Sequence, residues 1–90
     1  MGLAIFKIKI MPKSPNSDLE KIEKKAKEIT EKENCNSFRA EKEPIAFGLT
    51  ALNILFTREE TLDSDELLEK LRKIKEVNSA EIIDFRRAVG

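Results

Sequence analysis

The chain has no histidine, tryptophan, tyrosine or glutamine, and its 90 residues include one cysteine, three glycines and three prolines. Each scarcity closes a class of function. Without histidine, and with Cys35 as the lone thiol, neither a Cys–His nucleophile pair nor a Cys/His metal set can be assembled, so no catalytic residue and no metal ligand are expected. A single cysteine excludes an intrachain disulfide and suits a reducing cytoplasm. Cys35 sits in the polar stretch Glu33-Asn34-Cys35-Asn36, where it reads as a small structural residue. The glycines are scattered, so no phosphate-cradling loop is formed. Net charge is missing too: 17 basic and 17 acidic residues cancel, where a nucleic-acid binder would show a basic excess.

Long apolar runs are also absent. The stretch from Leu3 to Met11 is broken by Lys7 and Lys9, so it is neither a signal segment nor a membrane span. Phe6 stands where a myristoylation motif needs Ser or Thr. The expectation is a cytoplasmic chain with no membrane partner, no direct nucleic-acid partner and no cofactor. Its length fits one domain, residues 1–90, with a single modest core.

What the chain does have is charge and periodicity. Charged residues make up 38% of it, and Lys and Glu supply 25 of them, a surface chemistry like that of heat-adapted proteins. Phe6-Lys7-Ile8-Lys9-Ile10 alternates with a period of two, which predicts a strand with one buried face. Pro12 and Pro15 then make a stiff connector. Ser17 is the expected N-cap of a first helix, with Glu20 completing a capping box. Leu19, Ile22, Ala26 and Ile29 form its apolar stripe, and the surrounding Lys and Glu read as a solvated face. A second strand, at a sheet edge, is predicted over Ser37 to Glu43, and a third over Phe47 to Thr57. Asp63-Ser64-Asp65-Glu66 opens a second helix with another Asp-x-x-Glu cap, and Leu67, Leu68, Leu71 and Ile74 form its stripe. A last strand covers Ser79 to Arg87. The order βαββαβ predicts an α+β, ferredoxin-like two-layer sandwich: a four-stranded antiparallel sheet with both helices on one face and the other face open.

Within this charged chain, Pro44-Ile45-Ala46-Phe47-Gly48-Leu49 is an uncharged island centred on an aromatic. Leu52, Ile54 and Phe56 share one parity and should face the helices, which leaves Phe47, Leu49, Ala51, Asn53 and Leu55 for the open face. Phe47 is then exposed. A bulge at Gly48 would shift the register and bury it instead. Acidic pairs such as Glu59-Glu60 lie in a polar connector, so no enzymatic site is read there.

An exposed Phe on an open ferredoxin-like sheet admits two functional classes. One is an RNA-recognition module, in which aromatics of the central strands stack on bases. The chain shares with that module only its Phe-Gly pair: Ile45 replaces a basic residue, Leu49 and Leu52 replace aromatics, and Phe6 has core parity.

The other class is a protein-binding wedge. Ile10-Met11-Pro12-Lys13-Ser14-Pro15, then Glu43-Pro44-Ile45-Ala46-Phe47-Gly48-Leu49 with Ala51-Leu52-Asn53, then Asp84-Phe85-Arg86-Arg87 closely resembles the archaeal elongation factor 1-beta family, from residue 1 to residue 90. The resemblance implies the same ferredoxin-like fold, equivalent to the C-terminal exchange domain of the larger eukaryotic subunit without its N-terminal extension. It implies exchange of GDP for GTP on elongation factor 1-alpha, through destabilised nucleotide and magnesium, with no bond-making chemistry. In the eukaryotic relatives an aromatic in the matching Gly-Phe-Gly segment docks on the GTPase and a near-terminal lysine reaches the magnesium and phosphate region. The implied partner-binding residues here are Pro44, Ile45, Phe47, Gly48 and Leu49, with Arg87 in the lysine's place or Arg86 substituting for it. Arginine is a broader, planar donor than lysine's compact ammonium.

Overall fold

Alternation along the first strand sets the architecture. Ala4, Phe6, Ile8 and Ile10 are buried while Leu3, Ile5, Lys7 and Lys9 are not, so one side of the strand must be roofed. The computed structural model describes residues 2–59 and 64–88, in the order β1 (Leu3–Pro12), α1 (Leu19–Lys32), β2 (Asn36–Pro44), β3 (Thr50–Glu59), α2 (Asp65–Arg72) and β4 (Val77–Ala88). The four strands form one sheet in the order β2-β3-β1-β4, every pair antiparallel. This is the ferredoxin-like sandwich, with β2 at an edge as expected.

The roof is the two helices. Ile22 and Ala26 of α1 and Leu67 and Leu71 of α2 join the apolar row of β1, Leu52, Ile54 and Phe56 of β3, and Val77 and Ala80 of β4 in one core. Each large aliphatic side chain so buried contributes about 1.5–3 kcal/mol. Phe6 stacks on Phe56 across β1 and β3, with ring centroids 5.4 Å apart, and meets Phe85 of β4 edge-on at 5.0 Å.

Several local expectations shift. Asp18, not Ser17, caps α1: its Oδ1 accepts from the backbone N–H of Glu20 at 3.0 Å and of Lys21 at 3.3 Å. Ser17 instead closes a turn, donating its N–H to the Ser14 carbonyl and accepting from the Ser14 N–H at its Oγ. The cap moves because Asp18, one residue nearer the helix, offers a charged acceptor. In α2 Ser64 holds the N-cap position without a side-chain capping bond; Asp63 and Glu60 lie outside the described residues. β1 runs on through Pro12, which pairs with Val77 after a register irregularity, a strand end being where a missing N–H is tolerated.

Cys35 is buried in the core, not exposed in a polar loop. Asn34 takes φ +62°, the Asn34 N–H donates to the Glu31 carbonyl at 3.3 Å and the Cys35 N–H to the Thr30 carbonyl at 2.9 Å. This is a Schellman end to α1, which turns the residue after the left-handed position back onto the helix. Burial pushes the Cys35 thiol up to about 11.

Among the described residues no element covers the sheet face away from the helices, but that face is not bare. Ala51 and Asn53 of β3 are buried on that side, beneath longer neighbours such as Lys9 and Glu43.

Candidate partner-binding site

The uncharged island forms the turn between β2 and β3. Pro44 pairs with Thr50, Pro at the last position of an edge strand leaving no ladder donor unmet. The Ile45 N–H donates to the Leu49 carbonyl at 2.9 Å and the Leu49 N–H to the Ala46 carbonyl at 3.0 Å. The two residues inside that tighter ring, Phe47 and Gly48, have φ of +55° and +78°. Positive φ at both central positions matches the twist of a hairpin and normally selects Asn or Gly. Gly48 meets this requirement; Phe47 does not.

Phe47 is 96% exposed. Its projection follows from the turn, and strand parity has no part in it, because β3 begins three residues later than expected. The bulge that would have buried it does not form. Phe47 therefore combines two features that work against the stability of the isolated domain: an aromatic ring wholly in water, and a bulky L-residue in the left-handed region, which costs on the order of 1 kcal/mol or more. Ile45 is 41% exposed beside it, and Pro44 and Gly48 are exposed while Leu49 is half-buried.

The hairpin is held at its base and has the β1–α1 connector near its tip. At its base the Glu43 carboxylate accepts from Asn53 Nδ2 at 2.9 Å and lies 3.8 Å from Lys9 Nζ. The Asn53 hydrogen bond, and then the Lys9 charge, hold the Glu43 carboxyl below its usual value. At its tip, Pro15 of the β1–α1 connector lies 3.8 Å from where a Gly48 Cβ would stand. Neither relationship is legible in the sequence. Asn53 between apolar neighbours in a strand was the available signal for the first; the second joins residues 33 positions apart and left none.

Arg86 and Arg87 stand elsewhere. Arg86 pairs with Ile5, which pairs with Thr57, whereas the hairpin closes at Thr50. Seven residues of β3 separate the two positions, about 24 Å at an ordinary strand rise. The structure thus brings Pro44, Ile45, Phe47, Gly48 and Leu49 together at one end of the sheet and the arginines together at the other. The arginines also part company with each other. Arg86 lies on the open face, its Nε 3.2 Å from Asp84 Oδ2, while Arg87 pairs with the buried Ala4 and so points to the helix side. The β4 bulge between Asp84 and Ile82 fixes this assignment, since it resets the strand's parity.

The model of the EF-1 guanine nucleotide exchange domain matches residues 5–88, a span that contains every one of these positions. Elongation factor 1-beta of Methanobrevibacter smithii is 41% identical over 88 residues, covering 97% of this chain and 98% of that protein. Elongation factor 1-beta of Thermococcus gammatolerans is 42% identical over 77 residues, 83% of this chain and 84% of that one, and its counterpart in Methanocaldococcus jannaschii is 39% identical over 89 residues, 98% and 100%. Matched by that domain model over nearly its whole length and by relatives at about 40% identity, the chain belongs to the EF-1 guanine nucleotide exchange domain family.

Proposed function

We propose that this chain accelerates release of GDP from elongation factor 1-alpha, the GTPase that carries aminoacyl-tRNA to the ribosome, by docking Phe47 on it and bringing an arginine of the β4 end to its nucleotide. As a member of an exchange family it makes and breaks no bond of its own. The observation that carries the docking role is Phe47 itself: an aromatic fully in water, at positive φ, on a hairpin held at its base. A conformation unfavourable to the domain alone is accounted for when a partner's pocket takes the ring. Buried aromatic anchors of this kind commonly contribute about 2 kcal/mol or more to binding.

Release follows from linkage. Magnesium bridges the phosphates of the bound nucleotide and offsets their charge. A cationic side chain inserted there competes with the metal, so the factor favours the empty GTPase, and the nucleotide must weaken the factor by the same ratio in which the factor weakens the nucleotide. Arg87 is assigned that role, as the residue that falls at the place of the relatives' near-terminal lysine when the last strands are aligned without a gap. A partner that meets both Phe47 and Arg87 must extend along the sheet, which matches the 42 Å long axis of the domain.

The RNA reading finds no platform. Phe6 and Phe56 are core, Phe38 packs against it, and Phe85 pairs with Phe6 on the helix side, so no Phe stands on the open sheet face. No helix among the described residues is long and apolar enough to cross a membrane, and the reading places the chain in the cytoplasm with the translation machinery.

The test is release of labelled GDP from elongation factor 1-alpha into excess unlabelled nucleotide. Adding the chain should raise the rate to a plateau; an unchanged rate at saturating chain overturns the reading.

A further inference from the structure

The helix layer, which the exchange reading does not use, holds a groove enclosing about 610 Å³ between α1 and the C-terminal end of α2. That volume lies in the range of sites that hold ligands. Its apolar lining comes from Ile22 and Ile29 of α1 and from Ile74, just after α2. Its rim is basic: Lys21 and Lys25 on one side, Lys70, Lys73 and Lys75 on the other, against the acids Asp18 and Glu76. On a chain whose total charge is zero, this is a local concentration of positive potential rather than a reflection of composition.

Several of these charges are uncommitted. Lys70 is tied to Glu33 at 2.7 Å and Lys25 lies 3.9 Å from Glu28, but among the described residues Lys21, Lys73 and Lys75 make no ion pair. Asp18, for its part, is engaged in capping α1.

We infer that this groove is a docking site for an acidic amphipathic helix of a partner protein, a surface separate from Phe47 and independent of the exchange reading. Charge complementarity sets the sign of the ligand: carboxylates on its flanks meet the lysine rims. The floor sets its shape. Ile29 and Ile74, both partly exposed, line the groove from its two sides while Ile22 is buried in the core, and an apolar floor between charged rims is the form that receives one face of an amphipathic helix. Single-stranded nucleic acid would meet the same lysines but finds no aromatic in the groove on which to stack its bases.

The test uses an isotope-labelled chain and a synthetic peptide of about 15 residues, long enough for four helical turns, with Leu at helical spacing and Glu elsewhere. The expected result is saturable shifts of the backbone amides of Lys21, Ile22, Lys25, Lys73 and Ile74. Binding should weaken about tenfold or more in the Lys21→Glu/Lys73→Glu chain, as it does when opposed charges at an interface become like charges. A peptide of the same composition with its Leu positions scrambled should lose a similar factor, whatever the variant does. Three outcomes overturn the proposal: no saturable shift, equal binding of the scrambled peptide, or tighter binding of a single-stranded oligonucleotide at the same amides.

Discussion

Pro15 and Gly48 meet at the end of the sheet: a Cβ added to Gly48 would stand 3.8 Å from the Pro15 Cβ, at ordinary van der Waals contact. The connector after β1 thus lies beside the hairpin between β2 and β3. The same relationship separates two reasons why Gly48 is glycine. There is room for a methyl group, so the requirement is the backbone, at φ +78°.

Gly48→Ala should therefore destabilise the domain by about 1–2 kcal/mol through the left-handed backbone alone, and Gly48→Asn by less, since Asn tolerates that region. Urea unfolding measures both. Equal losses for Ala and Asn would point to crowding against Pro15 instead.

Phe47→Asn is expected to leave thermal stability unchanged or raise it slightly, because it removes an exposed ring and relieves the φ +55° strain. GDP release at sub-saturating chain should fall by about thirtyfold, the equivalent of an aromatic anchor worth 2 kcal/mol. A marked drop in Tm with full exchange activity would remove Phe47 from the interface.

For the arginines the prediction is a split. Arg87→Ala should lower the maximal rate of GDP release more than Arg86→Ala, and Arg86→Ala should change stability by less than about 1 kcal/mol, because its pair with Asp84 is exposed. The reverse order of rates would move the basic role to the open face.

Phe56→Ala should cost about 3–5 kcal/mol, as a fully buried aromatic removed from a packed core. Phe85→Ala should cost much less. Phe85 keeps nearly half its surface in water and contributes chiefly its edge-on contact with Phe6, a geometry worth about 0.5–1.5 kcal/mol.

Cys35 should be slow to alkylate in the folded chain. With its thiol at about 11, roughly a thousandth is thiolate at pH 8, and burial limits access further. The sign for stability follows from the raised folded value: the contribution of the buried neutral thiol is fully present below the ordinary 9.0 and is lost as pH rises toward 11. Cys35→Ala should flatten that alkaline decline in a urea titration. A folded-state alkylation rate equal to that of the denatured chain would contradict the burial.

Local pattern carried the fold a long way. The period of two in β1 and the four-residue steps from Ile22 to Ala26 and from Leu67 to Leu71 name the buried faces, because burial on one side of a strand or helix leaves its period in the sequence. The order of elements then leaves few ways to build a sheet. Element ends were less legible. The cap at Asp18 and the turn at Phe47 depend on which of several neighbouring hydrogen bonds wins, and that is a competition among groups one residue apart.

The site divides along the same line. By itself the sequence determined that Phe47 is the one aromatic set among small and apolar residues between Pro44 and Leu49, and that no histidine is present to form a Cys–His pair. Only the tertiary structure decided that Phe47 projects from a turn, that Pro15 lies beside that turn, that the arginines stand about 24 Å away, and that a bulge in β4 sends Arg86 and Arg87 to opposite faces. Periodicity records which side of an element is buried, but distance, bracing and facing across strands arise from pairings between residues far apart in the chain, and those are settled only when the sheet closes its register.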